Sequence, residues 1–188
     1  LSKGSTKGAY MIDLKIHTLE SAPSTSQQFL SDAHQELGMI PSLLGVLAES
    51  PQALEAYRSL TKLFNQSSLS IVERHVVWLT VSSFHKCHYC VPAHSMMAVL
   101  DGVDKDVVQQ IRDGQSLEDQ RLEALRLFAH ALVENKGHVD EGLSRELIKQ
   151  GYTHQNVLDI VLGVIHKVMS NFTNAIAKTP VDEPFIPY

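Results

Sequence analysis

The sequence is short of cysteine, of aromatic residues and of strand-like alternation. Two cysteines in 188 residues exclude a disulfide framework. A chain of this length needs none, because it buries roughly 70% of its unfolded surface. Aromatics make up 6% of the residues, yet hydrophobic residues reach 44%, an ordinary globular composition that excludes disorder and collagen-like repeats. Basic charge is also scarce: 16 Lys+Arg against 21 Asp+Glu give a net charge of −5. That balance suits neither nucleic acid nor an anionic membrane surface, and neither partner is expected. The apolar run from Val157 is interrupted by Asp159 and His166 and does not read as a membrane span. Residues 1–10, LSKGSTKGAY, lack the apolar core of a signal peptide and read as a vector remnant, with Met11 as the native start. The expectation is one domain over residues 11–188, in the cytoplasm.

What is present is helical periodicity, and the predicted class is all-α. Ser24 or Ser26 is placed to cap a helix running to about Leu37, which Gly38 ends. The apolar stretch 40–48 reads as a short inward-packed helix. Pro51 stands at a first helical position, and Leu54, Tyr57, Leu60, Leu63 and Phe64 follow at helical spacing. Ser70 with Glu73 forms a capping-box pattern ahead of a strongly apolar helix to about His85. A further helix is predicted from near Cys87 to Leu100. Others follow at about 104–113, 117–135, 140–150 and 154–178, punctuated by Gly114, Gly137 and Gly151, and Pro180, Pro184 and Pro187 mark an irregular tail. A shift of 81 lays Phe84-His85-Lys86 onto Ile165-His166-Lys167, the trace of a degenerate duplication in which only the first copy keeps cysteines.

Both cysteines fall in one C-x-x-C, within His85-Lys86-Cys87-His88-Tyr89-Cys90-Val91-Pro92-Ala93-His94. Pro92 is tolerated only in a first helical turn, so a helix should begin close to Cys87–Tyr89. Steps of three and four then put Cys87, Cys90 and His94 on one face. A helix N-terminus favours a thiolate, and His94 lies one turn from Cys90 as its base. Cys87 is placed to resolve an oxidised Cys90 as a disulfide. Two plainer readings stand beside this one. The pair also reads as a zinc site with His94 and His85 or His88, although no second cysteine pair exists, or as inert core cysteine. Trp78 reads as core, His17, His130, His138 and His154 as solvated, and Asn171 and Asn174 as buried groups that fix helix packing. His85 and His166 are candidates to line a pocket.

The stretch Leu69-Ser70…Glu73-Arg74…Val76-Val77…Leu79…Cys87-His88-Tyr89-Cys90…Ala93-His94 resembles the core motif of the carboxymuconolactone decarboxylase / AhpD-like (alkylhydroperoxidase) family. Pro41-Ser42-Leu43-Leu44…Ala48-Glu49-Ser50-Pro51 and Gly151-Tyr152-Thr153…Asn171-Phe172-Thr173-Asn174 are similar to its longer, peroxidase-related members. The resemblance implies an all-helical AhpD-like fold and a homo-oligomer, a trimer or hexamer. It also implies a peroxidase that reduces organic hydroperoxides and is recharged by an external dithiol or thiol-disulfide reductant, with no bound cofactor or metal. Cys90 would attack the peroxide, Cys87 would resolve, and His94 would belong to a proton relay. Members that decarboxylate a muconolactone lack the cysteine pair, so that activity is not expected. Where the family has a relay glutamate this chain has His75, with Glu73 nearby. Helical register favours His75 as the relay base, since Glu73 already serves the capping box.

Overall fold

The computed structural model describes residues 12–188. The expected tag remnant and the Met11 start lie outside the described residues. The described chain is all-α, with nine helices: α1 (Ser24–Leu37), α2 (Ser42–Leu47), α3 (Pro51–Asn65), α4 (Ile71–Phe84), α5 (Cys90–Leu100), α6 (Lys105–Arg112), α7 (Gln120–Glu134), α8 (Glu141–Lys149) and α9 (His154–Ala177). A 3₁₀ turn at Glu183–Phe185 sits in the tail. The predicted helices are all there, with ends shifted by a few residues.

Most starts are capped by local chemistry that the sequence shows. Ser50 accepts the Ala53 N–H ahead of Pro51, and the Ser70/Glu73 capping box closes at both ends. Thr153 and Asn156 form a second box at α9, and Asp104, Asp119 and Asp140 cap α6, α7 and α8. α1, α2 and α5 have no such bond from their N-cap residues, and α1 departs from expectation. Neither Ser24 nor Ser26 caps it; Pro23 holds that position, and Ser26 Oγ donates to the Ala48 carbonyl at 2.8 Å.

α4 and α9 form the centre. α4 packs on α5, α6, α7 and α9, and α9 packs on α2, α3, α4 and α7. One apolar cluster, with Phe64, Val77, Trp78, Leu125 and Ile160, lies between them. Each large side chain buried there contributes about 1.5–3 kcal/mol. A second cluster joins α1, α2 and α3 to the cysteine turn through Leu30, Leu44, Leu47, Leu54, Tyr89 and Phe185. Gly163 lets α9 approach α3 and α4 closely, because a Cβ there would collide with the Phe64 ring and reach Val77.

α9 is long and apolar enough to cross a membrane by length and composition. Here it is the central helix, with Asn156, His166, Lys167, Ser170, Asn171 and Asn174 buried on its inward side. The shift of 81 lays α4 onto the first half of α9, but the break after α4 has no counterpart. α9 runs on unbroken through the equivalent positions.

Candidate active site

The turn between α4 and α5 presents the cysteines. The Cys87 N–H bonds the Ser82 carbonyl and the Lys86 N–H bonds the Ser83 carbonyl, both at 3.0 Å, a Schellman closure of α4. It requires Lys86 in the left-handed region, at φ 50°, a conformation that costs a non-glycine residue roughly 1–2 kcal/mol.

The regular helix begins at Cys90, three residues later than the sequence predicts, and Cys87 is not in its first turn. Pro92 supplies the reason. The Val91 N–H reaches the Cys87 carbonyl at 3.0 Å, but Pro92 has no N–H to continue the ladder to His88. Cys87 behaves as a cap instead: its Sγ accepts the Cys90 N–H at 3.2 Å. The two sulfurs therefore share one tight turn, both as free thiols and both buried.

α9 surrounds Cys90 with donors. Asn174 Nδ2 donates to Cys90 Sγ at 3.2 Å, and the Ser170 hydroxyl lies 3.9 Å from it. Burial pushes the Cys90 thiol up. The Cys87 S–H, the Lys167 charge and the amides of Asn174 and Asn171 outweigh burial and hold Cys90 at about 6. Cys87 moves the other way, raised because it donates to Cys90, because it is buried and because it faces the Cys90 charge. The surroundings thus bias Cys90 toward the thiolate and Cys87 toward the thiol. Tyr57, from α3, meets Ser170, and burial raises its phenol so that it stays neutral.

His94 makes no side-chain hydrogen bond to Cys90. Its Nε2 accepts a hydrogen bond from Lys167 Nζ, and its Nδ1 is buried without a partner. Burial, with the Lys167 charge beside it, drives His94 well below the usual imidazole range, so it is neutral. Lys167 is itself buried. Desolvation lowers it to about 8, and the two cysteines oppose that fall. Its ammonium lies 5.8 Å from the ring centres of both Tyr57 and Trp78, within cation–π range.

His75 and Glu73 stand apart from the sulfurs. His75 Nε2 pairs with Asp101 Oδ2 at 2.7 Å, and its ring meets Trp78 edge-on. Trp78 in turn meets His94 with ring centres 5.1 Å apart, so the indole lies between the two histidines. Burial lowers His75 despite its aspartate partner. Glu73 sits at the far end of α4, about 20 Å of helix from the cysteine turn. It accepts the Ser70 N–H at 2.7 Å and the Arg121 Nε–H at 3.1 Å, and Arg121 stacks on Tyr152.

Other residues also differ from expectation. Asn174 points at the thiolate rather than only fixing helix packing. His17 is buried, bonded to Glu49 at 2.6 Å and to the Ser21 carbonyl at 2.8 Å, and is not solvated. Trp78 is core, and its indole N–H donates to His166 Nδ1 at 3.0 Å. His166 also meets the Thr61 hydroxyl at 2.9 Å. His85 lines an apolar cleft of about 380 Å³ with Val133, Ile165 and Phe172, which does not include the cysteines. Sequence reading missed Lys167, Ser170 and Tyr57. The signal available was a polar stripe, Lys167, Ser170, Asn171 and Asn174, at helical spacing within an apolar helix. Among the described residues no three of His, Cys, Asp and Glu gather as a metal site requires.

Residues 48–117 match the model of the carboxymuconolactone decarboxylase family, a span that includes both cysteines and His94. This stretch of the chain is similar to that family. The AhpD-like fold extends well beyond that stretch. An alkylhydroperoxidase AhpD core protein, described as peroxidase-related, from Ralstonia eutropha JMP134 superposes with a TM-score of 0.80 at 20% identity, covering 94% of this chain and 96% of that one. A peroxidase-related protein from Silicibacter sp. TM1040 gives 0.78 at 22% identity, covering 97% of each chain. The debrominase Bmp8 gives 0.74 at 18% identity, covering 87% of this chain and 89% of that one. These likenesses establish the fold. No curated protein matches the sequence.

Proposed function

We propose that this protein of AhpD-like fold is a thiol-dependent peroxidase that reduces organic hydroperoxides through Cys90 and Cys87, in antioxidant defence. The Cys90 thiolate attacks the distal peroxide oxygen. The S–O bond forms as the O–O bond breaks, giving a sulfenic acid and an alkoxide that takes a proton. The Cys87 sulfur then attacks Cys90, the S–O bond breaks, and water leaves as the disulfide forms. An external dithiol restores both thiols by exchange.

The observation that carries this reading is the split between two sulfurs on one turn, with Cys90 held down by α9 donors and Cys87 pushed up. Burial of both sulfurs favours a small substrate over a protein disulfide, which ranks simple thiol–disulfide exchange second. A dithiol cycle recharged by an external thiol suits a reducing compartment such as the cytoplasm.

Homo-oligomerisation belongs to the same reading. The outer face of α9 exposes Leu158, Ile165, Phe172 and Ile176, an apolar row along one helix that a second copy would cover. The deciding experiment for the activity is consumption of an alkyl hydroperoxide with dithiothreitol as reductant. Turnover that depends on Cys90 supports it. Disulfide exchange without peroxide turnover would leave the second reading.

A further inference from the structure

Lys167 is a buried ammonium, 1% exposed, and among the described residues it makes no salt bridge. A lone buried cation is costly unless something nearby carries the opposite charge. The groups that face it are few. His94 from α5 accepts its proton. Tyr57 from α3 and Trp78 from α4 offer ring faces. His166 adjoins it on α9, and His75 lies beyond Trp78, paired with Asp101 at the rim. Among the described residues no carboxylate lies within salt-bridge distance of it, and the anion that acts on it is the thiolate of Cys90, whose sulfur lies 3.9 Å from the Ser170 hydroxyl that bonds the Lys167 carbonyl. Its charge and that of Cys90 therefore stand or fall together.

Disulfide formation removes that thiolate. We propose that Lys167 is the proton store of the dithiol cycle: it is charged while Cys90 is a thiolate, and it gives up its proton when the disulfide forms. His94 is suited to pass that proton on. With Nε2 accepting from Lys167, its own proton is on Nδ1, a buried donor with no partner. The alkoxide takes the Nδ1 proton as Nε2 takes one from Lys167, leaving the other imidazole tautomer and a neutral amine. In sum, thiolate, thiol, ammonium and hydroperoxide become disulfide, alcohol, water and amine, with no proton drawn from solvent. Reduction by an external dithiol returns the proton to Lys167. Lys167 acts here as a positioning and proton-supplying residue through His94. The inference deepens the peroxidase reading but needs only that the dithiol be oxidised.

Proton balance tests it. Full-length reduced protein in weak buffer at pH 7 is oxidised with one equivalent of cumene hydroperoxide, and in parallel with diamide, while pH and thiolate absorbance at 240 nm are followed. The expected result is a thiolate that disappears with no net proton uptake. Uptake of one proton per disulfide would show that Lys167 stays charged, and absence of a thiolate at pH 7 would remove the ion pair; either overturns the proposal. Oxidation by diamide without uptake, with the hydroperoxide inert, would sink the peroxidase reading and keep this one. Lys167→Arg separates charge from proton supply, because a guanidinium stays protonated. It should keep the 240 nm absorbance and take up one proton per disulfide. A variant that keeps the thiolate and still takes up none would refute the role, and the parent protein's proton count decides if the variant does not fold.

Discussion

The side-chain amide of Asn174 lies 3.2 Å from the sulfur of Cys90, across a separation of 84 residues. The amide and the sulfur come from α9 and the first residue of α5, and both residues are almost fully buried. A neutral donor aimed at a buried sulfur stabilises the thiolate more than the thiol. It adds to the Lys167 charge without adding another titrating group.

Asn174→Ala should therefore raise the Cys90 pKa. A hydrogen bond to a charged group is worth about 1.5–3 kcal/mol, which corresponds to roughly one to two pKa units. Iodoacetamide labelling of Cys90 at pH 6 should slow by about tenfold. Labelling at the parental rate would mean that the amide does not support the thiolate.

The two sulfurs should be chemically distinct. Cys90→Ser should abolish hydroperoxide turnover. Cys87→Ser should trap one equivalent of sulfenic acid at Cys90 after peroxide, detected with a dimedone-type reagent. Sulfenic acid that accumulates instead at Cys87, in Cys90→Ser, would reverse the assignment.

Activity should be bell-shaped in pH. The active form needs Cys90 ionised, so the rate falls as pH drops through about 6. It also needs Lys167 protonated, so the rate falls as pH rises through about 8. His94 is held well below its usual range by burial and does not supply the alkaline limb. In Lys167→Arg the alkaline limb should move up by at least about one pH unit, since Arg does not titrate there. An unmoved limb would assign it to another group.

Glu73 and His75 should separate structure from chemistry. Glu73→Gln weakens the capping box and the Arg121 pair, and should cost about 1–3 kcal/mol of stability, read by urea denaturation, with Cys90 labelling unchanged. His75→Ala removes a ring packed against Trp78, next to His94, and should lower turnover while labelling stays within about twofold, since the Cys90 donors remain. Loss of labelling in Glu73→Gln with stability intact would return the relay to Glu73.

Ile165 stands in the exposed row of α9, at 54% exposure. Ile165→Glu should leave the fold intact by circular dichroism and shift the protein toward monomer in analytical ultracentrifugation. A parent that is already monomeric would rule out that face as a subunit contact.

Sequence alone determined the helices and the place of the thiols. Ser50, Ser70, Asp104, Asp119, Asp140 and Thr153 cap helices through bonds to residues two or three positions away, and Cys87 and Cys90 share a turn because they are three apart. Such contacts are local, and spacing encodes them. Even there, α5 starts three residues later than the spacing predicts, because the missing N–H of Pro92 interrupts the helix ladder after it has begun. Tertiary structure decided which groups surround Cys90. Lys167, Ser170, Asn171 and Asn174 lie far along the chain, and helical spacing shows only that they share a face. His94 is in register with Cys90 but turns to Lys167, and Glu73 and His75 are held by Arg121 and Asp101. A pKa depends on the charges, donors and burial around a group in space. Those are settled when α9 packs beside the cysteine turn, and the sequence does not specify that packing through any local rule.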